Sequence, residues 1–276
     1  MELSKEDNNR IYKKIMDIGK EIIKESEKIK PYVIIAQPKR NDKDKMPQNF
    51  NGYIGVSIDL LGYSHAYVDI CNEKIDIARN FLMQQAIESG SEYLFFIGAD
   101  TIIPYDGFIK FHETALKYPN SMIIGVYYIK LSSPMIMIKK DNKIIPADVT
   151  PGKVIETYLA GLDCALIPIS ILKTLQKDDQ DLPFTCVINT KDEYNKDVFI
   201  GEDNFFYYRL HKNGIKIYTN TDVQCLHMDL SSGKYTSYPN IDLNNYFTTI
   251  PIKEPLTMKD KRRIDQTWID TIPKNI

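Results

Sequence analysis

Three short stretches hold side chains of types that could do chemistry together. The first is EYLFFIGADTIIPYDGF, Glu92 to Phe108, where an apolar run leads into Gly98-Ala99-Asp100. A carboxylate at the tip of a buried run needs a reason, because an unpaired buried charge is expensive. The second is Gly201-Glu202-Asp203, two acids opening a segment that holds Arg209 further on. The third is Val223-Gln224-Cys225-Leu226-His227, an apolar run ending in histidine. Carboxylates and an imidazole are groups that move protons or hold positive charge. Each stretch also has a plainer reading. Asp100 can cap the helix entered through Pro104, and Glu202 and Asp203 can be ordinary first-turn acids. His227 can be a strand-end histidine, Arg209 a structural arginine holding one of the acids, and Arg79 a surface helix residue.

The elements that must position these residues follow from periodicity. Ile11, Ile15, Ile18 and Ile22 recur at helical spacing and predict a helix over residues 5–29, docked on the domain, in an oligomer contact or on a membrane surface. Pro31 ends it. YVIIAQ, Tyr32 to Gln37, reads as a first buried strand bounded by Pro38, and residues 39–52 as a polar loop. A strand is expected over Ile54–Asp59, a helix over Glu73–Gly90, a strand over Tyr93–Ile97, a helix from Pro104 to about Tyr118 and a strand over Ser121–Ile129. This alternation is that of βαβ units, so a parallel sheet with helices on both faces is expected. Such sheets bind ligands beyond the carboxyl ends of their strands, and Asp100 falls just past the end of a central one.

The second half is less regular. A hairpin is expected over Met135–Ile145, turning at Asp141-Asn142. An apolar run over Cys164–Ile169 precedes a short helix to Leu175, and residues 176–197 are polar around a short PFTCVI strand. A helix is predicted over Gly201–Lys212 with Gly214 past its end, then short strands over Ile215–Tyr218 and Val223–His227. From Met228 the chain is polar, with a basic run over Lys259–Arg263, and reads as a peripheral tail.

Arg79-Asn80, then FFIGADTIIP, then GEDNFFYYRLHKNGIKIYTNTDVQCLH resemble glycosyltransferases of the GT-A fold, nearest the family 2 type, over roughly residues 32 to 228. The resemblance implies an α/β fold of that kind, with an N-terminal helix (1–30) and a C-terminal extension (229–276). Between them it implies one domain, residues 31–228, with a nucleotide half to about 129 and an acceptor half from about 130. It implies roles residue by residue. Asp100 matches the last acid of an Asp-x-Asp motif that holds Mn²⁺ or Mg²⁺ on the donor diphosphate, and His227 matches the later metal ligand. Asp203 matches the catalytic base, with Glu202 beside it. Arg79 matches a residue near the nucleotide, while Gln37 and Pro38 match the loop lining the nucleoside pocket. Gly161, in AGLDCAL, matches the glycine before the acceptor-side segment, and Asp163 lies with it. The first acid of Asp-x-Asp is Gly98 here, a departure from the pattern. The implied reaction moves a sugar from a UDP- or GDP-linked donor to a hydroxyl of an unknown acceptor, glycan, lipid, protein or small molecule. It would be inverting, with Asp203 as base. The alternatives are a retaining enzyme of the same fold and a catalytically impaired nucleotide-sugar-binding module.

Composition narrows the rest. A net charge of -2 gives no basic field for nucleic acid or an anionic membrane. Cys71, Cys164, Cys186 and Cys225 form no Cys-x-x-Cys pair, which argues against a zinc site or a disulfide framework and for a reducing compartment. Met1 leads into charged residues, and no apolar run approaches the roughly 18 residues of a membrane span, so a cytoplasmic protein is expected. The segment AQPKRNDKDK after the first strand holds no glycine, unlike the phosphate loops of nucleotidyltransferases and dinucleotide-binding dehydrogenases.

Overall fold

The alternation of strand and helix read from the sequence is built in three dimensions as a central sheet between two helical layers. The structure, a computed structural model, describes residues 31–39, 52–128, 134–178, 182–185, 187–191, 197–229 and 234–236. The helix expected over 5–29, most of the loop expected over 39–52 and the tail beyond 236 lie outside the described residues.

In chain order the elements are β1 (Val33–Lys39), α1 (Gly52–Leu60), β2 (His65–Cys71), α2 (Ile75–Glu88), β3 (Tyr93–Ile97), β4 (Thr101–Ile102) and α3 (Gly107–Lys117). They continue with β5 (Met122–Val126), β6 (Ile136–Lys140), β7 (Lys143–Pro146), β8 (Val154–Glu156), β9 (Leu159–Ala160), β10 (Cys164–Pro168) and α4 (Ile169–Asp178). Last come β11 (Val187–Lys191), β12 (Asp197–Ile200), α5 (Glu202–Lys212), β13 (Ile217–Gln224), β14 (Leu226–Asp229) and β15 (Lys234–Thr236).

The central sheet has seven strands in the order β2-β1-β3-β10-β5-β13-β8. β2, β1, β3, β5 and β13 run parallel, while β10 and β8 run against them. The expected class, a mostly parallel α/β sheet with helices on both faces, is the one found. The apolar runs supply both faces because successive strand residues point opposite ways. Val33, Ile35, Phe95 and Ile97 face one side and pack with Ile54 and Ile58 of α1 and Phe108 and Phe111 of α3. Ile34, Ala36, Leu94 and Phe96 face the other and pack with Leu82 of α2, Leu172 of α4 and Phe206 of α5.

Several boundaries differ from expectation. Residues 54–59 are not a strand but part of α1. Ile54 and Ile58, one helical turn apart, drop into the core, and the helix stops at Gly62 in a left-handed turn (φ 77). The missing strand is β2, an edge strand paired only with β1 in the central sheet. α3 begins at Gly107 rather than in the turn holding Pro104. The two short strands expected over 215–227 are one long strand, β13, followed by β14, which continues past residue 228 and pairs with β15 and β4. The hairpin at Asp141-Asn142 is found, with Lys140 opposite Lys143 and both turn residues at positive φ (49 and 59), the two-residue turn whose twist suits paired strands.

Candidate functional site

The carboxyl ends of β1 and β3 lie side by side, and the chemistry-bearing residues collect there. β3 ends at Ile97. Gly98 extends its ladder by one rung, its N–H donating to the Asp163 carbonyl at 2.9 Å. The Thr101 N–H then donates to the Gly98 carbonyl at 3.2 Å, a tight turn that carries Asp100 at the sheet's edge. β4 and β14 pair with His227 opposite Thr101, which brings the His227 Nε2 to 3.2 Å from the Asp100 Oδ2. From β1, the Gln37 side-chain amide donates to the Gly98 carbonyl at 3.4 Å.

Arg79 projects from α2 and is only 5% exposed. One of its terminal nitrogens donates to Glu202 at the start of α5, and the other donates to Asp163 Oδ1 at 3.2 Å. It is therefore not a surface helix residue. Pro38, Lys39, Arg79, Asp100, Asp163 and Glu202 line one cleft of about 470 Å³, with Glu73 and Ile75 at its α2 side. Asp203, the next residue of α5, accepts the Asn204 N–H at 2.7 Å, and its charge acts on Asp163, Tyr127 and Tyr207. Gly161 lies against the Tyr127 hydroxyl, and the Tyr127 ring meets the His227 ring edge-on at 5.9 Å. Arg209 is buried and donates to the Leu175 carbonyl of α4, which ties α5 to α4.

Acids outnumber bases in the cleft lining, where Glu73, Asp100, Asp163 and Glu202 face Lys39 and Arg79. Lys39 is itself bound to Asp69 of β2. Burial raises the carboxyl pKa of both Asp163 and Glu202, and the Arg79 guanidinium offsets part of that rise. The hydrogen bond to Asp100 raises the pKa of His227 against the opposing effect of burial. Burial first, and then the Asp163 charge, holds the Tyr127 phenol far above its ordinary range. Such a site favours a cation. Among the described residues, no group of three or more His, Cys, Asp or Glu side chains is arranged to hold a metal ion. Asp100 and His227 are a two-donor set, a carboxylate oxygen and an imidazole nitrogen facing each other, which suits Mn²⁺ or Mg²⁺ completed by phosphate and water oxygens.

Gly98 has a steric cause. A Cβ there would lie 2.7 Å from the Asp163 Cβ and 2.8 Å from its Cγ. The sequence reading missed Lys39, Glu73, Ile75 and Tyr127 as lining or neighbouring residues. Lys39 follows directly on Gln37 and Pro38, so adjacency was a usable signal. Tyr127 sits at the end of an apolar run and carried none.

No family model and no curated protein matches the chain. Solved structures match at low identity. The crystal structure of A197 from STIV is 14% identical, with 76% of this chain and 95% of that one covered at a TM-score of 0.50. GalNAc-T7, solved with UDP, GalNAc and Mn²⁺, is 11% identical, with 87% of this chain covered at a TM-score of 0.45, and this chain spans 49% of that one. A UDP-glucose pyrophosphorylase, solved with UDP-glucose, is 9% identical, with 78% and 96% of the two chains covered at a TM-score of 0.40. At 14% identity the likeness to A197 is one of fold alone. Among the described residues, no helix is long and apolar enough to cross a membrane.

Proposed function

We propose that this chain is a glycosyltransferase that moves a sugar from a UDP- or GDP-linked donor to an acceptor hydroxyl, with Mn²⁺ or Mg²⁺ as its cation. The observation that carries the reading is the meeting of Arg79, Asp100, Asp163, Glu202 and His227 at the carboxyl ends of parallel strands, around an acid-rich cleft large enough for a nucleotide. Asp100 and His227 would hold the cation, which when bound neutralises charge developing on the departing diphosphate.

The other residues then have distinct tasks. Gln37 and Pro38 shape the nucleoside side. Arg79 fixes Glu202 and Asp163 in place, so Glu202 is already engaged. Asp203 is the candidate base, within the first turn of α5, where the helix dipole favours negative charge. A carboxylate within hydrogen-bond reach of the acceptor hydroxyl takes its proton during attack, worth on the order of 10²–10⁴ in rate. Direct displacement of this kind inverts the anomeric centre. The impaired-module alternative drew on Gly98, and the collision with Asp163 gives that glycine a packing cause instead.

A thermal-shift screen of UDP-, GDP- and dTDP-sugars with and without Mn²⁺ tests the reading, since a ligand bound only by the folded state raises the melting temperature. At least one donor should raise it, and more so with Mn²⁺. Asp203→Asn should keep that shift and lose turnover. No shift with any donor would end the reading, and turnover untouched by Asp203→Asn would remove Asp203 from it.

A further inference from the structure

Gly98 and Asp163 stand 65 positions apart in sequence and touch in space. β10 runs antiparallel to β3 with Cys164 opposite Ile97, so the next rung sets Asp163 beside Gly98, and their backbones are joined by the 2.9 Å bond from the Gly98 N–H. The Asp163 side chain fills the volume that any side chain at position 98 would need. A Cβ at 98 would stand 2.7 Å from the Asp163 Cβ and 2.8 Å from its Cγ, closer than real Cβ contacts come. The Thr101 hydroxyl oxygen would stand 2.8 Å away as well, so position 98 has no room for a carboxylate while Asp163 carries one.

That space opens on the donor side. Asp163 lines the same cleft as Pro38, Lys39 and Asp100, and its side chain remains 27% exposed. The charges of Asp100 and His227 both act on it. Neutralising Arg79 does not account for it fully, because Glu202 already bonds that guanidinium and is the more buried partner.

Resting on the glycosyltransferase reading, we propose that Asp163 belongs to the donor side rather than the acceptor side. It supplies the second carboxylate of the nucleotide-diphosphate site, the one that position 98 has no room to carry. Asp163 would act on the cation by its negative charge, from beside the Asp100 and His227 pair. It is thus a positioning residue for the cation and its diphosphate.

The test is calorimetric binding of UDP and of GDP, each with and without MnCl₂, to the full chain and four variants. The wild type binds one of them more tightly with Mn²⁺. Asp163→Asn and Asp163→Gly should weaken the Mn²⁺-dependent binding by about tenfold or more, the usual cost of losing an outer-shell partner. Gly98→Asp alone should lower the melting temperature through the collision. Gly98→Asp combined with Asp163→Gly, which moves the carboxylate across the rung, should recover most of the Mn²⁺-dependent affinity, a non-additive result. Where Asp163→Asn fails to fold, the double variant against Asp163→Gly decides alone. Wild type that binds neither diphosphate in an Mn²⁺-dependent way overturns the transferase reading and this proposal with it. Wild type that binds, with Asp163→Asn equal to it or the double variant no better than Asp163→Gly, overturns this proposal only.

Discussion

Protons bind Asp163, Glu202 and His227 more tightly in the folded chain than their ordinary pKa values allow, and the three shifts share a sign. A group whose folded pKa is raised contributes stability that is fully present below its unfolded pKa and lost as pH rises through the folded one. With metal chelated, the melting temperature should therefore climb as pH falls from about 8 toward about 5. Glu202→Gln should flatten part of that climb, and a pH series of thermal melts checks it. A flat profile in the wild type would mean that neither the two acids nor His227 holds its proton more tightly on folding. Packing sets a second expectation at this scale. A Cβ on Gly161 would fall 1.5 Å from the Tyr127 hydroxyl, so Gly161→Ala should cost about 1–3 kcal/mol, the range for overpacking, read as a lower urea midpoint. The site was legible in the sequence to the extent that residue type announces chemistry. Asp100, Glu202 and His227 stand at the ends of recognisable runs, and each reached the cleft or its edge. The partner of each was not legible, because a contact such as Arg79 with Glu202 spans 123 positions and leaves no local mark. The glycine at 98 reads as a departure in one dimension and as a fit to Asp163 in three.

Helix α2, helix α5 and strand β10 are tied at one point, the Arg79 guanidinium. Removing it would strand two half-buried carboxylates. Arg79→Met should destabilise the protein by about 3–5 kcal/mol, the range for breaking a buried ion pair from one side. Glu202→Gln added to Arg79→Met should recover part of the loss, since the orphaned charge is what costs. Denaturant unfolding of the single and double variants checks this, and strict additivity would argue that the contact contributes little. Element identity was legible where the apolar run was long and one-sided in meaning. β3 has the expected bounds, Tyr93–Ile97. IGVSID reads as a strand because Ile and Val favour strands and a short apolar segment does not reveal its period. HAYVDIC was missed because an edge strand is half polar and lacks a continuous run. TNTD in β13 looks like a turn, yet Thr219 and Asn220 are buried there, paired with Thr157 at 2.6 Å and Thr114 at 2.9 Å.

At the scale of the molecule, the described residues form two apolar clusters, one on either face of the same sheet. The described residues that line the cleft come from β1, the approach to α2 and α2 itself, the turn after β3, the β10 edge and α5. Residues 31–236 hold every described member of both clusters. Burial of apolar area is the dominant favourable term in folding, so a chain cut to residues 31–236 should keep it. We predict that this fragment unfolds in one cooperative transition and shows the same Mn²⁺-dependent melting shift with a nucleotide sugar as the full chain. Both are read in one thermal-shift series run side by side. A fragment that folds but loses the shift would place part of the donor site in the removed ends. One that does not fold would show that the removed ends cover a face of the sheet domain, and the basic run over Lys259–Arg263 and the isoleucine stripe from Ile11 to Ile22 could then be restored separately to find which.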